Sequence, residues 1–428
     1  MSTRVVSAGS ITEHGTTTGG IDWAAVRADF PVLRREIDGT PLVYLDSGNT
    51  SQKPHQVIEA MDHFVRTGYA PINRSAYRLA AEATDHYEGA RAAVARFVNA
   101  PSADEIVFTK NATEALNLVA QAWGGRHLHE GDVVVLTHME HHANVVPWHM
   151  LAERNGIELR WVGLTPDGQL DLGDLDTLLD GAKVFAFTAM SNVLGTINPV
   201  AELVAAAHRH GALAVVDACQ YVPHNVTDVQ AWNADFAAFS SHKMVGPSGI
   251  GALWGRAELL DATPPFLGGG NMIADVRLDG FTSAPVPAKF EAGTPPIVEA
   301  VGFGAAVEYL SAIGMTDVRR HEMKLTRYAL DALTERYGDR ITVHGPDNVE
   351  IRGGVLSFEF GGIHPHDISQ VLDQRNVCIR AGHHCAKPLM RVLGVNATAR
   401  ASLYLYNDHS DVDALVDALD GATDIFGF

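Results

Sequence analysis

Cysteine is scarce in this chain: three among 428 residues, at Cys219, Cys378 and Cys385. So few thiols build no disulfide framework, and their positions show no metal-ligand spacing, so no resident metal is expected. Positive charge is also short, with 32 Lys and Arg against 51 Asp and Glu and a formal net charge of −19. Nucleic acid and anionic membranes are bound through clustered Lys and Arg, so neither is expected as a partner. No run is long and apolar enough to span a bilayer, and no secretory signal pattern opens the sequence. A cytoplasmic protein is the expectation.

What is present is ordinary globular material, 46% hydrophobic and 19% charged, in a chain long enough for two unequal lobes. Residues 1–20 are rich in Ser, Thr and Gly and bury little, which predicts a disordered leader. Short apolar runs then alternate with amphipathic stretches. Candidate strands are Glu105–Phe108, Val133–Leu136, Leu159–Gly163, Val184–Ala189, Ala212–Asp217, Phe236–Ser240 and Gly249–Trp254; helical patterns include Glu114–Trp123 and Val200–His210. This alternation predicts an α/β fold, with a mostly parallel sheet flanked by helices on both faces. Beyond Phe290-Glu-Ala-Gly-Thr-Pro-Pro296 the pattern changes to a long helix from about Pro296 to Ile313, a second helix, and strands near Gly354–Phe360 and Cys378–Arg380. The expected division is an N-terminal segment at 21–44 packing with the small domain, a large domain at 45–299 and a smaller α+β domain at 300–428.

Two strand ends carry the most chemistry. Val215-Val-Asp-Ala-Cys-Gln220 delivers an acid after an apolar run, and Phe236-Ala-Ala-Phe-Ser-Ser-His-Lys243 delivers a lysine. In open α/β sheets, ligands sit beyond the carboxyl ends of the strands. A lone lysine is normally a solvated surface charge. Lys243, between an apolar strand and a Gly-Pro-Ser-Gly turn, is better placed as an imine former and proton shuttle. Asp217 alone could be a helix cap; beside Gln220 it suits a buried partner for a pyridine nitrogen. Together they meet the demands of pyridoxal phosphate (PLP). Ser240 and His242 could hold its phosphate. Thr109-Lys-Asn-Ala-Thr-Glu-Ala115 joins a strand to a helix, where Asn111 or Thr113 could cap free amides or the helix start could receive an anion.

Further candidates are less local. His141 and His142 are adjacent and point apart, which suits stacking of one ring on a flat cofactor better than metal binding. Cys385 sits in Arg380-Ala-Gly-His-His-Cys-Ala-Lys-Pro388, a polar loop whose cations favour thiolate. Cys378 and Cys219 have the context of inert core residues. Arg400, in an uncharged neighbourhood, suits a substrate α-carboxylate.

With these motifs in order, from Leu45-Asp-Ser-Gly-Asn-Thr-Ser-Gln-Lys-Pro54 and Glu-His-His-Ala-Asn144 to Arg-Ala-Gly-His-His-Cys-Ala386, the chain resembles the SufS-type cysteine desulfurases. These are PLP enzymes of the class V aminotransferase-like group with fold-type I. The resemblance implies that Lys243 carries PLP, Asp217 pairs with its ring nitrogen, Gln220 reaches its phenolic oxygen and His141 stacks on the ring. Ala112, Thr113, Ser240 and His242 would hold the phosphate, joined by Thr294 from the partner subunit of a homodimer. Asn192 and Arg400 would bind the substrate carboxylate. Cys385 would be the nucleophile, with Arg380 near it, turning L-cysteine or selenocysteine into alanine. Sulfur would pass to an acceptor of the SufE or SufU kind, with His366 at the contact, toward uses such as iron–sulfur cluster assembly.

Three positions depart from that family. Asn49 replaces a small alanine, Asn73-Arg-Ser-Ala-Tyr77 replaces a His-Arg-Gly-x-His run, and Ser241 replaces a glycine. Asn49 and Tyr77 would therefore alter substrate contacts, which keeps open a C–S lyase, an epimerase or a C–C bond-forming enzyme on another amino acid.

Overall fold

The computed structural model describes residues 20–427 except Arg74. The expected leader lies outside the described residues apart from Gly20.

All seven candidate strands form, each within about two residues of its expected bounds, and all join one sheet. They are β1 (Ile106–Thr109), β2 (Val133–Thr137), β3 (Glu158–Val162), β4 (Ala182–Thr188), β5 (Leu213–Asp217), β6 (Phe236–Ser240) and β7 (Gly251–Gly255). Their order across the sheet is β1-β7-β6-β5-β4-β2-β3. The five neighbours from β6 to β3 run parallel, and β7 is antiparallel to both β6 and β1. Helices cover both faces, so the inner strands are buried along their whole length and read as continuous apolar runs. The expected α/β class holds.

One helix departs from its sequence pattern. It starts at Ala112 rather than Glu114, because Asn111 Oδ1 accepts from Glu114 N at 3.0 Å and caps it there. Its continuation, Val119–Gly124, widens into π-helical turns.

Helix Ile297–Ile313 leads to helix Met315–Tyr337 and then to a four-stranded antiparallel sheet. Its strands are β8 (Ile341–His344), β9 (Val355–Phe360), β10 (Arg380–Gly382) and β11 (Thr398–Ser402), in the order β8-β9-β11-β10. Val43–Tyr44 pairs in parallel with Val377–Cys378. Helix Trp23–Ala28 is tied to the C-terminal helix through Arg27, whose Nη1 and Nη2 reach Asp411 at 2.7 and 3.0 Å. The first residues of the described chain therefore pack on its last elements. This returns Asp46–Asn49 to the side of β11, where Gly48 N donates to Ser402 Oγ at 2.8 Å.

Candidate active site

The parallel strands end side by side, with Thr188 opposite Asp217 and Asp217 opposite Ala238. Each chain segment that leaves these ends carries polar groups that have no business in a core. Glu140 organises the turn after β2. Its buried carboxylate accepts from Thr137 Oγ1 at 2.5 Å, Asn144 Nδ2 at 2.7 Å and Thr188 N at 2.9 Å. Burial pushes it up to about 8. By joining the end of β2 to the end of β4 it fixes the His141–His142 turn. His141 Nδ1 accepts from Ala143 N at 3.0 Å. Burial first, then the charge of Lys243, pushes this imidazole down to about 3, so the ring stays neutral.

Asp217 is buried at the end of β5 and accepts from Cys219 N at 3.0 Å. Burial pushes its carboxyl up, and the nearby Lys243 opposes that shift. Gln220 donates from Nε2 to Gly48 O at 2.7 Å and leaves Oε1 buried without a partner. Ser240, at the end of β6, accepts on Oγ from Ala112 N at 2.8 Å. That approach depends on Gly251 between them in the sheet. A Cβ there would lie 2.7 Å from Phe239 O and 2.9 Å from the Asn111 backbone. Thr113 is exposed beside this helix start.

Lys243 closes the short turn Ser241–Lys243. The carbonyl just before it, His242 O, is gripped by Ser51 N and Ser51 Oγ at 3.0 Å, and by Thr50 Oγ1 and Lys53 Nζ at 3.1 Å. Burial pushes Lys53 down to about 8. The His242 ring is pushed to about 4 by burial, then by the charges of Lys243 and Lys53. Ser241 is fully buried, and its Oγ packs so closely on Gly246 that any Cβ there would overlap it.

The opposite wall comes from the C-terminal sheet. Arg400 on β11 is 1% exposed. It donates from Nη1 to Asn192 O at 2.9 Å and from Nη2 to Asp46 Oδ1 at 3.2 Å, while Nε is buried without a partner. Burial lowers it to about 10. Asp46 Oδ2 also accepts from Asn49 Nδ2 at 3.3 Å, and Asn49 Oδ1 accepts from Arg380 Nη1 at 2.5 Å. Asn49 thus bridges the one carboxylate and the second arginine.

Cys385 projects from a turn in which His384 and Cys385 both have positive φ, 50° and 56°. Two successive non-glycine residues in this region cost roughly 1–2 kcal/mol each. The turn is held by Asn192 Nδ2 to His384 O at 2.7 Å, His142 N to Cys385 O at 2.7 Å and Lys387 N to His142 Nε2 at 3.0 Å. Cys385 N adds a bond to His383 Nδ1 at 3.1 Å. Asn192 therefore spends its side chain on the Cys385 turn and its carbonyl on Arg400.

Asp217, Gln220, Ser240, Lys243, His141, Asn192, Arg380, Arg400, Asn49 and Cys385 are thus linked around one site. Tyr77, Thr294 and His366 lie exposed instead, with His366 stacked on His364 at 5.3 Å. Among the described residues no cluster of His, Cys, Asp and Glu could hold a metal. Two contributors escaped the sequence reading, Glu140 and Lys53. Their membership of the Glu-His-His-Ala-Asn and Ser-Gln-Lys-Pro blocks was the only available signal.

The donor set suits PLP. A buried carboxylate with a single backbone donor can take a ring N–H, an amine stands near it, and the unpartnered Gln220 Oε1 is left in the same wall. The unpartnered Arg400 Nε suits an amino-acid carboxylate.

Comparison with known proteins agrees. The model of the family "Aminotransferase class-V" matches residues 43–415. A probable cysteine desulfurase of Streptomyces coelicolor is 52% identical over 416 residues, covering 96% of this chain and 99% of that protein. Among solved structures, the apo cysteine desulfurase of Thermococcus onnurineus superposes with a TM-score of 0.89 at 40% identity, covering 94% of this chain and 98% of that one. The Escherichia coli cysteine desulfurase CsdA, in its S-sulfonic acid form, gives 0.87 at 39% identity, covering 95% and 99%.

Proposed function

The chain belongs to the aminotransferase class-V family of PLP enzymes, and we propose that it is a cysteine desulfurase of the SufS type. It converts L-cysteine to L-alanine and keeps the sulfur as a persulfide on Cys385. The observation that carries this reading is the placement of Cys385: two hydrogen bonds made by Asn192 connect its turn to Arg400, across the site from Lys243 and Asp217.

When bound, PLP supplies an electron sink for charge developed at the substrate Cα. Lys243 would anchor it, Asp217 would pair with its ring nitrogen, Gln220 would reach its phenolic oxygen and His141 would stack on the ring. Ser240, His242, Ala112 and Thr113 would hold its phosphate, joined by Thr294 of the partner subunit in a homodimer. Arg400 orients the substrate carboxylate through the Nε that the protein leaves unpaired. Lys243 Nζ takes the Cα proton and returns protons to carbon later. The Cys385 sulfur attacks the substrate sulfur: an S–S bond forms, the Cβ–S bond breaks, and the bonding pair stays with Cβ. Protonation completes the alanine methyl group. Atoms balance as cysteine plus thiol giving alanine plus persulfide, with no outside oxidant.

Lys387, Val392 and the His364–His366 pair are exposed in the domain that carries Cys385, which supports sulfur transfer to a SufE- or SufU-type acceptor there. The reaction suits the cytoplasm, where thiols stay reduced.

The test is alanine and sulfide production from L-cysteine with a thiol reductant, for wild type and Cys385→Ala. Stoichiometric alanine and sulfide, abolished in the variant, is the expected result. Pyruvate release, or turnover that survives Cys385→Ala, overturns the reading in favour of a C–S lyase.

A further inference from the structure

His142 stands next to the ring-stacking candidate His141, yet the reaction outlined above gives it no part. Its N–H and its ring both bond to the cysteine turn, while its carbonyl accepts from Val145 N at 3.1 Å. The backbone N–H of His142 meets Cys385 O at 2.7 Å, and its Nε2 accepts from Lys387 N at 3.0 Å. One residue therefore grips the turn on both sides of Ala386. The acceptor role fixes the tautomer, because an imidazole that accepts on Nε2 carries its proton on Nδ1. A second imidazole, His383, accepts from Cys385 N at 3.1 Å, and the two rings lie 5.6 Å apart.

We propose that His142 is the positioning residue for Cys385: its neutral ring latches the turn that keeps the thiol-bearing residue in the left-handed conformation, and protonation of that ring releases it. The strain at His384 and Cys385 makes the latch necessary, since neither residue prefers positive φ. The groups facing the His142 ring are His383, Lys387 and, at 6.2 Å, His141. Burial, followed by the charges of His383 and Lys387, holds His142 below its ordinary value of 6.5, which keeps the acceptor available at neutral pH. A doubly protonated ring would turn a second N–H toward the Lys387 N–H, so the bond is lost rather than weakened.

The consequence for catalysis rests on Cys385 being the nucleophile; the latch itself does not. The test therefore avoids turnover. Iodoacetamide alkylation of Cys385 is followed by peptide mass in the holoenzyme, for wild type, His142→Ala and His142→Gln. In His142→Ala the turn loses its acceptor and Cys385 alkylates several-fold faster at pH 8. In His142→Gln the amide oxygen takes the Lys387 N–H, and the rate returns to within about twofold of wild type. Below the ordinary histidine range near pH 6.5, wild type becomes more reactive relative to His142→Gln. Equal rates in wild type and His142→Ala, no rescue by glutamine, or a flat ratio with pH would each overturn the latch. So would a rise shared by Cys219 and Cys378, which would report loosening of the whole fold. None of these results depends on alanine formation, so the latch and the desulfurase reading fail separately.

Discussion

Lys243 and Cys385 sit on opposite walls of one site and are held by opposite kinds of bond. Lys243 follows a fully buried strand, and four donors from residues 50–53 converge on the carbonyl before it. Cys385 follows the short, half-buried strand β10, sits in a strained conformation, and depends on imidazole acceptors, one side-chain amide and the His142 backbone N–H. The difference lies in what survives a change of protonation. Lys53 still has N–H bonds to give after it loses a proton, whereas an imidazole that gains one no longer has the lone pair its partner needs. The amine is fixed by bonds that persist, the thiol in part by bonds that can be dismissed. Under the proposed function, an amine found in the same place at each turnover and a thiol that reaches out and then carries sulfur away would call for those two solutions.

The comparison breaks most sharply at Lys53. Lys53→Met removes a buried donor from His242 O while the two serine donors and the threonine remain. The loss of a charge-assisted bond costs about 1.5–3 kcal/mol. We expect kcat for alanine release to fall about tenfold or more, with the Cys385 alkylation rate unchanged. Equal damage to both readouts would mean that the two walls are not independent.

A second test concerns protonation within the cysteine wall. Burial, and after it the charges of Arg400 and Arg380, push His384 down to about 3. A histidine whose folded value is depressed resists charging, so the unfolded chain binds more protons below about pH 6.5. Its contribution to stability is fully present above that pH and drains away as pH falls toward 3, by about 1.4 kcal/mol per pH unit. His384→Gln should flatten the slope of unfolding free energy between pH 6.5 and 5 by that amount, read from urea denaturation. An unchanged slope would show that His384 charges freely in the folded protein.

The smallest expected effect is at the mouth between the walls. Asn49→Ala frees Arg380 from Asn49 Oδ1 and deprives Asp46 of one donor. A surface-accessible bond of this kind is worth about 1 kcal/mol, so KM for cysteine should rise roughly fivefold while kcat holds. A fall in kcat with KM constant would assign Asn49 to the chemistry rather than to entry and orientation.

The large domain's sheet was legible in the sequence because parallel strands covered on both faces must be apolar throughout. The residues that end those runs, Asp217 and Ser240, announced themselves by contrast. The individual partners were not legible. Lys53 reaches His242 across 189 positions, Arg380 reaches Asn49 across 331, and Arg400 reaches Asp46 across 354. No periodicity records a bond between segments so far apart, and the two arginine contacts form because residues 46–49 are brought beside the C-terminal sheet. The same holds for Asn192, whose side chain faces the cysteine turn although its motif resembles a carboxylate binder's. The helix start at Ala112 was missed for a local reason: Asn111 and Thr113 were equally good caps on paper, and Asn111 took the role.

Ser241 and Gly246 carry a consequence for the history of this chain. With Ser241 Oγ where it stands, a methyl at position 246 would overlap it, and the serine would have to turn away to make room. Without that hydroxyl, an alanine at 246 would still meet Ala306 Cβ and the carbonyl oxygen of residue 241 at 3.1 Å, so those neighbours would have to give by a few tenths of an ångström. The two positions are therefore not free to drift in either order. Serine at 241 thus favours glycine at 246 for as long as it stays, and a change at either position is felt at the other.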